Sequence, residues 1–108
     1  MDPHRLAKER SIAYHTAIAE RLQRQPEILA NARQRVQSWL SSAPQAPFYA
    51  TKWSEILAGD PSSIAAFLTE RSELAEELRS SSPFAGALSP KERWRIFNET
   101  RERFAQQP

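Results

Sequence analysis

Residues 25–41 read QPEILANARQRVQSWLS, and this stretch decides the fold class. Its proline occupies the first position of a helix, where the missing N–H has no consequence because that group would find no partner inside the helix. Apolar residues then recur at intervals of three and four, which is the period of one helix face. They are Ile28, Leu29, Ala32, Val36, Trp39 and Leu40. The stretch therefore predicts an amphipathic α-helix from Pro26 to about Ser41.

The other helix starts are marked in a similar way, by a capping residue followed by proline. These pairs are Asp2-Pro3, Asp60-Pro61 and Ser89-Pro90. Glu92 lies three residues after Ser89, which completes a capping box. No segment alternates strictly between apolar and polar residues, so the sequence contains no strand signal. We expect an all-α single domain over residues 1–108, a compact bundle of five to six short helices.

The expected helices are bounded by these caps and by turns rich in Pro, Ser and Gly. They cover residues 3–24, 26–41, 48–58, a segment starting at 61, and 90–104. Residues 41–47 are expected to be a linker and residues 105–108 a frayed tail. Thr69 is a good N-cap and predicts a break into a further helix, although the apolar residues on either side also fit one continuous rod. The first two helices are expected to form an antiparallel pair.

Aromatic side chains supply most of the apolar area that a chain of this size can bury. In the last expected helix, the buried stripe consists of Trp94, Phe97 and Phe104. Phe48 and Phe84 lie beside loops and are candidate interface anchors. Phe84, which follows a proline, also fits the core.

Composition excludes several classes of protein. The chain has 15 Lys and Arg against 13 Asp and Glu, a net charge of +2 that is too small to indicate nucleic-acid binding by itself. It has no Cys, which excludes a disulfide scaffold, a thiolate metal site and a cysteine nucleophile. The longest apolar run, Ile64 to Leu68, is far shorter than the roughly 18 residues of a membrane span. We expect a cytoplasmic protein with no cofactor, no metal and no membrane partner.

Arg10 and His15 raise the question of catalysis. Their separation by four residues resembles the arginine–histidine motif of the HEPN ribonucleases, which are small helical domains. In such a site the arginine would stabilise a phosphate oxyanion, and the histidine would exchange a proton with a 2′-hydroxyl. The simpler interpretation is a partly buried histidine bonded to a neighbouring hydroxyl or carbonyl group. We predict no catalytic residues and no enzymatic activity, with the ribonuclease as a third hypothesis.

Two charged clusters are candidate contact sites. One is an acidic strip that is either a solvated face or a docking surface for a basic protein such as a nuclease. It consists of Glu70, Glu73, Glu76 and Glu77. The other is a small basic cluster that would serve a DNA-binding or transcription-associated module, which is the alternative function. It consists of Arg21, Arg24, Arg33 and Arg35.

Three stretches together resemble one family. They are residues 10–22 (RSIAYHTAIAERL), residues 49–57 (YATKWSEIL) and residues 72–88 (SELAEELRSSSPFAGAL) running into 92–94 (ERW). Over roughly residues 8–104 the chain resembles the region that follows the DNA-binding part of bacterial helix-turn-helix or excisionase-like antitoxins, which are encoded beside a toxin gene. Only about one helical turn precedes residue 8, so operator binding by this chain alone is not expected.

The resemblance implies a small helical domain that neutralises a cognate toxin protein by direct complex formation. We expect Glu73, Glu76 or Glu77 to meet cationic residues of the toxin, with Phe84 in the loop 83–86 as a buried anchor. This function makes the chain a non-enzymatic protein-binding domain. A homodimer is left open.

Overall fold

The computed structural model describes residues 2–42 and 44–105, and in this part of the chain every regular element is an α-helix. The expected all-α bundle of five to six helices is therefore confirmed. The helices are α1 (Pro3–Arg21), α2 (Pro26–Ser41), α3 (Phe48–Leu57), α4 (Pro61–Leu68), α5 (Glu73–Arg79) and α6 (Pro90–Ala105). Of the expected tail, Ala105 belongs to the last turn of α6, and residues 106–108 lie outside the described residues.

The predicted helix starts form as expected because short polar side chains satisfy the first free N–H groups. A carboxylate oxygen of Asp60 accepts a hydrogen bond from the N–H of Ser63 at 2.8 Å. The capping box also forms. Oγ of Ser89 accepts from the N–H of Glu92 at 3.1 Å, and the Glu92 carboxylate accepts from the N–H of Ser89 at 3.3 Å. Local chemistry therefore determines where these helices begin.

The break between α4 and α5 is confirmed, but the role assigned to Thr69 is wrong. Thr69 ends α4, its N–H bonding to carbonyls of the preceding turn, and Ser72 caps α5 instead. Arg71 lies between the two helices and forms two hydrogen bonds to the carboxylate of Glu9 on α1, at 2.7 and 3.0 Å. A continuous rod would have required this charged side chain to enter the apolar stripe. The break lets it reach a carboxylate at the surface.

The expected antiparallel pairing of the first two helices is wrong. α1 packs chiefly against α6 and α4, whereas α2 packs against α3. The apolar face of α2 meets α3, whose buried residues are Ala50, Trp53 and Leu57. α1 is thus the central helix of the bundle, and its two ends contact elements from the second half of the chain.

The core is organised around Trp53, which is fully buried. Its indole N–H donates a hydrogen bond to the carbonyl of Leu78 at 3.1 Å, so the polar atom of the ring is satisfied inside the protein. The rings of Phe67 and Phe84 approach it edge to face, with centroids 5.7 and 6.0 Å away. α3, α4 and the loop before α6 meet at this cluster.

The buried stripe of α6 differs from the prediction. Phe104 is buried as expected and Phe97 is partly buried, but Trp94 is 64% exposed. Ile96 and Thr100 take the interior positions instead, because they lie one turn apart and one turn before Phe104. At 100° per residue, Trp94 lies about a third of a turn from the centre of this stripe. Its ring stacks on that of Phe97 at a centroid distance of 5.7 Å.

Candidate functional site

α5 separates its residues into a buried side and an exposed side. The buried residues are Ala75, Leu78 and Arg79. Glu73, Leu74 and Glu77 are exposed, and Leu74 is one of the large apolar side chains that remain accessible, at 40% exposure. We call these three residues the α5 face. An apolar side chain beside two carboxylates is suited to contact with a basic protein surface.

The remaining glutamates of the predicted strip are held by other residues. The carboxylate of Glu76 lies 3.5 Å from the ammonium of Lys8 on α1. The carboxylate of Glu70 accepts a hydrogen bond from Oγ of Ser72 at 2.7 Å. Glu70, Glu73 and Glu77 are exposed and Glu76 is half-buried, so the assignment of Glu73, Glu76 and Glu77 to a partner stays a prediction.

The predicted anchor Phe84 is a core residue. It is only 4% exposed, and its ring meets those of Trp53 and His15 edge to face. Since a partner could reach this ring only by opening the core, the assignment of Phe84 as a contact residue is corrected. Phe48 is exposed, with the ammonium of Lys52 lying 5.8 Å from its ring centroid. Its assignment as an anchor stays a prediction.

The basic cluster proposed for nucleic acid is largely occupied by contacts within the chain. Arg21 forms an ion pair with Glu92 at the start of α6. Nε of Arg33 donates to the carbonyl of Leu57 at 3.0 Å, and Nη1 of Arg35 donates to the carbonyl of Ala85 at 3.0 Å. Arg24 is exposed. Three of the four guanidinium groups connect helices and loops, but Arg24, Arg33 and Arg35 are exposed and keep further N–H donors, so the assignment of this cluster to nucleic acid stays a prediction.

His15 lies inside the bundle with both ring nitrogens engaged. It is 5% exposed, Nδ1 lies 2.7 Å from the carbonyl oxygen of Ser11, and Nε2 lies 2.8 Å from Oγ of Ser82. A carbonyl can only accept, so Nδ1 donates and Nε2 of the neutral ring accepts from Ser82. Burial lowers the pKa of His15, the Ser11 carbonyl acts in the opposite direction, and the charge of Arg79 lowers it further.

This geometry agrees with the structural interpretation of His15 and gives the ribonuclease hypothesis no support. A general base needs a ring nitrogen directed at the substrate, and here each nitrogen already has a partner within the chain. Arg10 lies with its guanidinium 5.2 Å from the ring centroid of Phe97, in a cation–π contact.

Trp94 is the exposed aromatic residue that the sequence pattern places wrongly in the core. Tryptophans in small domains are usually buried, which is why the pattern predicts burial here. The signal that could have exposed the error was the four-residue spacing of Ile96, Thr100 and Phe104, which defines a stripe that excludes Trp94. Exposed tryptophans are over-represented among the residues that dominate protein interfaces.

Within residues 2–42 and 44–105, no three His, Asp or Glu side chains gather closely enough to hold a metal ion. None of the described helices combines the length and apolar character that crossing a bilayer requires.

Comparison with known proteins identified no relative. No family model, no curated protein and no solved structure matches this chain. The resemblance to the antitoxins therefore stays a prediction from the sequence, and the function is argued from the surfaces described above.

Proposed function

We propose that this chain is a non-enzymatic protein-binding domain that acts as an antitoxin, neutralising a cognate bacterial toxin by direct complex formation. The observation that carries the proposal is the α5 face, where Leu74 is exposed beside the carboxylates of Glu73 and Glu77. A toxin that acts on nucleic acid needs a basic active site, and this face has the complementary charge with an apolar residue at its edge.

The two parts of the α5 face would contribute differently to binding. Because Leu74 is 40% exposed, its burial in an apolar pocket of the partner contributes about 1 kcal/mol, which changes the affinity by about fivefold. The carboxylates of Glu73 and Glu77 steer association and set orientation, and their effect falls as salt is added. Neutralisation then follows because the bound domain covers the cationic residues that the toxin needs for its substrate.

The rest of the molecule supports a binding function over a catalytic one. His15 has both ring nitrogens bonded inside the chain, and Phe84 is packed against Trp53. The most prominent groups at the surface are instead apolar or charged side chains without a reactive partner, such as Leu74 and Trp94. These are contact residues by their chemistry.

The proposal is tested by co-expression with the product of the adjacent gene. We expect a stable complex and rescue of growth when that product is toxic. The double variant Glu73→Lys/Glu77→Lys should lose rescue, while Trp94→Ala should keep it. Growth arrest and no complex with the wild-type chain would contradict the function. Loss of rescue only with Trp94→Ala would show that α6 rather than α5 contacts the toxin.

The matched control is a second double charge reversal, Glu27→Lys/Glu102→Lys. Glu27 lies in the first turn of α2, as Glu73 does in α5, so each variant places one Lys near a helix N-terminus. Both Glu27 and Glu102 are exposed. The control changes net charge by the same amount, so an effect of overall charge would appear in both variants.

A further inference from the structure

A cavity separates α1 from the loop that connects α5 to α6. It has a volume of about 410 Å³ and is closed at one side by the first turn of α6. Volumes of this size hold small molecules in many proteins. The cavity lies on different helical residues from the α5 face, so any role for it is independent of the proposed function.

Three arginines line this cavity, and no Asp or Glu is found among the described residues that line it. They are Arg10 from α1, Arg79 from the end of α5 and Arg93 from α6. None of the three guanidinium groups forms an ion pair with a described carboxylate. The described lining therefore supplies three positive charges and no carboxylate.

Aromatic rings hold two of these guanidinium groups in place. Arg10 lies over the ring of Phe97 at 5.2 Å, and Arg93 lies over the ring of Tyr14 at 5.4 Å. A cation–π contact fixes the plane of the guanidinium group but uses none of its N–H donors. Those donors stay available to an anion in the cavity.

Arg79 is the strongest feature of the cavity because it is only 5% exposed. Its Nη1 donates to the carbonyl of Leu68 at 3.3 Å and to that of Glu70 at 2.6 Å, which holds the link between α4 and α5. Both hydrogen bonds come from one nitrogen, while a guanidinium group carries five N–H donors on three nitrogens. Burial lowers the pKa of Arg79, while the charges of nearby carboxylates, above all that of Glu76, act in the opposite direction.

The histidine in the lining of the cavity is bonded within the chain. His15 lines the cavity, but its nitrogens are bonded to Ser11 and Ser82, and burial holds the ring neutral. His15 therefore leaves the charge of the arginines unchanged. It also offers no free ring nitrogen that could act as a base on a ligand. The site is suited to binding rather than to reaction.

We propose that this cavity binds the phosphate group of a small molecule, with Arg79 at its floor and Arg10 and Arg93 at its sides. Phosphate is preferred to a carboxylate because it offers more acceptor oxygens and a higher charge to three planar N–H donor sets. The ligand stays outside the core, since Phe84 closes the inner end of the cavity.

The test is a calorimetric titration of the full chain with inorganic pyrophosphate, and in parallel with succinate, at matched ionic strength. We expect one binding site per chain and at least tenfold weaker binding of succinate. Absence of pyrophosphate binding, or equal affinity for succinate, would overturn the proposal. Matching the ionic strength removes the general effect of charge screening.

Variants locate the binding site. Arg93→Ala and Arg10→Met should each weaken pyrophosphate binding at least fivefold, and Arg79→Met should abolish it. The matched control is Arg95→Ala, which removes an exposed arginine two residues beyond Arg93 and outside the cavity. If circular dichroism shows that Arg79→Met does not fold, the test of the binding site rests on Arg93→Ala and Arg10→Met. Unchanged binding in both would place the anion elsewhere and contradict the proposal.

Discussion

Nε2 of His15 lies 2.8 Å from Oγ of Ser82, a residue 67 positions further along the chain. This hydrogen bond belongs to a short relay. The N–H of Phe84 donates to Oγ of Ser82 at 3.2 Å, Ser82 donates to Nε2, and Nδ1 donates to the carbonyl of Ser11. The direction of each bond follows from the neutral ring and from a carbonyl that only accepts. The relay attaches the loop before α6 to the middle of α1.

Acidification should weaken the fold through His15. Burial lowers the pKa of His15 in the folded state. Below pH 6.5 the unfolded chain therefore binds a proton at His15 more readily than the folded chain does. Its contribution to the free energy of unfolding is complete above pH 6.5 and is lost as pH falls towards the lowered folded pKa. Urea unfolding at pH 7.5, 6.5 and 5.5 measures this. His15→Gln should flatten the dependence, and a slope unchanged by that variant would contradict the assignment. His4→Ala, at an exposed position, is the control and should keep it.

Removal of the Ser82 hydroxyl should destabilise the protein. Ser82→Ala leaves Nε2 of His15 and the N–H of Phe84 without their partner, and we expect a loss of about 1–2 kcal/mol in the free energy of unfolding. Ser81→Ala, one residue earlier, is the control and should change stability by less than about 0.5 kcal/mol. Chemical denaturation of the three proteins gives the comparison. Equal effects of the two substitutions would show that the relay contributes nothing specific.

The two tryptophans Trp53 and Trp94 should respond very differently to the same change. Trp53→Phe removes an indole N–H bonded to the carbonyl of Leu78 and leaves a void, so we expect a loss of about 2 kcal/mol. Trp94→Phe changes an exposed ring and should cost less than about 0.5 kcal/mol. Urea midpoints measure both. A large loss in Trp94→Phe would restore the original expectation that this residue is in the core.

The ion pair between Arg21 and Glu92 should make the stability of the fold depend on pH in a second, more acidic range. Hydrogen bonds from the Arg21 guanidinium and from the Ser89 N–H lower the pKa of Glu92 to about 2. The stabilisation is therefore present above pH 4.5 and is lost as pH falls from 4.5 towards about 2. Glu92→Gln preserves the capping box but removes the charge. The melting temperature of this variant should lie below that of the wild type at pH 6 and approach it at pH 2.5. An equal difference in melting temperature at both pH values would show that the charge of Glu92 is not the source of the stabilisation.

Features set by neighbouring residues were the ones that the sequence predicted well. Asp60 and Ser89 cap helices through N–H groups three residues away, so their roles can be read without knowledge of the fold. The break after α4 was also predicted. Whether Thr69 or Ser72 caps α5, however, depends on which carboxylate Arg71 contacts. That carboxylate, Glu9, lies on another helix.

Features set by distant residues could not be read in the same way. The pairing of α1 with α6 rather than α2 depends on how all the apolar faces fit together. The partner of His15 is 67 residues away, and the use of Arg33 and Arg35 to bond carbonyls depends on loops that lie beside α2 only in the folded chain. For the candidate site, the exposed position of Glu73 and Glu77 was predicted, while the burial of Phe84 as a core residue had to be found in the structure.

The most direct measurement is the dissociation constant of the complex with the adjacent gene's product, by calorimetric titration of three proteins. These are the wild-type chain, Glu73→Lys/Glu77→Lys and the control Glu27→Lys/Glu102→Lys. We expect the first double variant to bind at least tenfold more weakly and the control to stay within about threefold of the wild type, because only the first reverses charge at the interface. Equal affinities for all three proteins, or no binding by the wild type, would contradict the role of the α5 face.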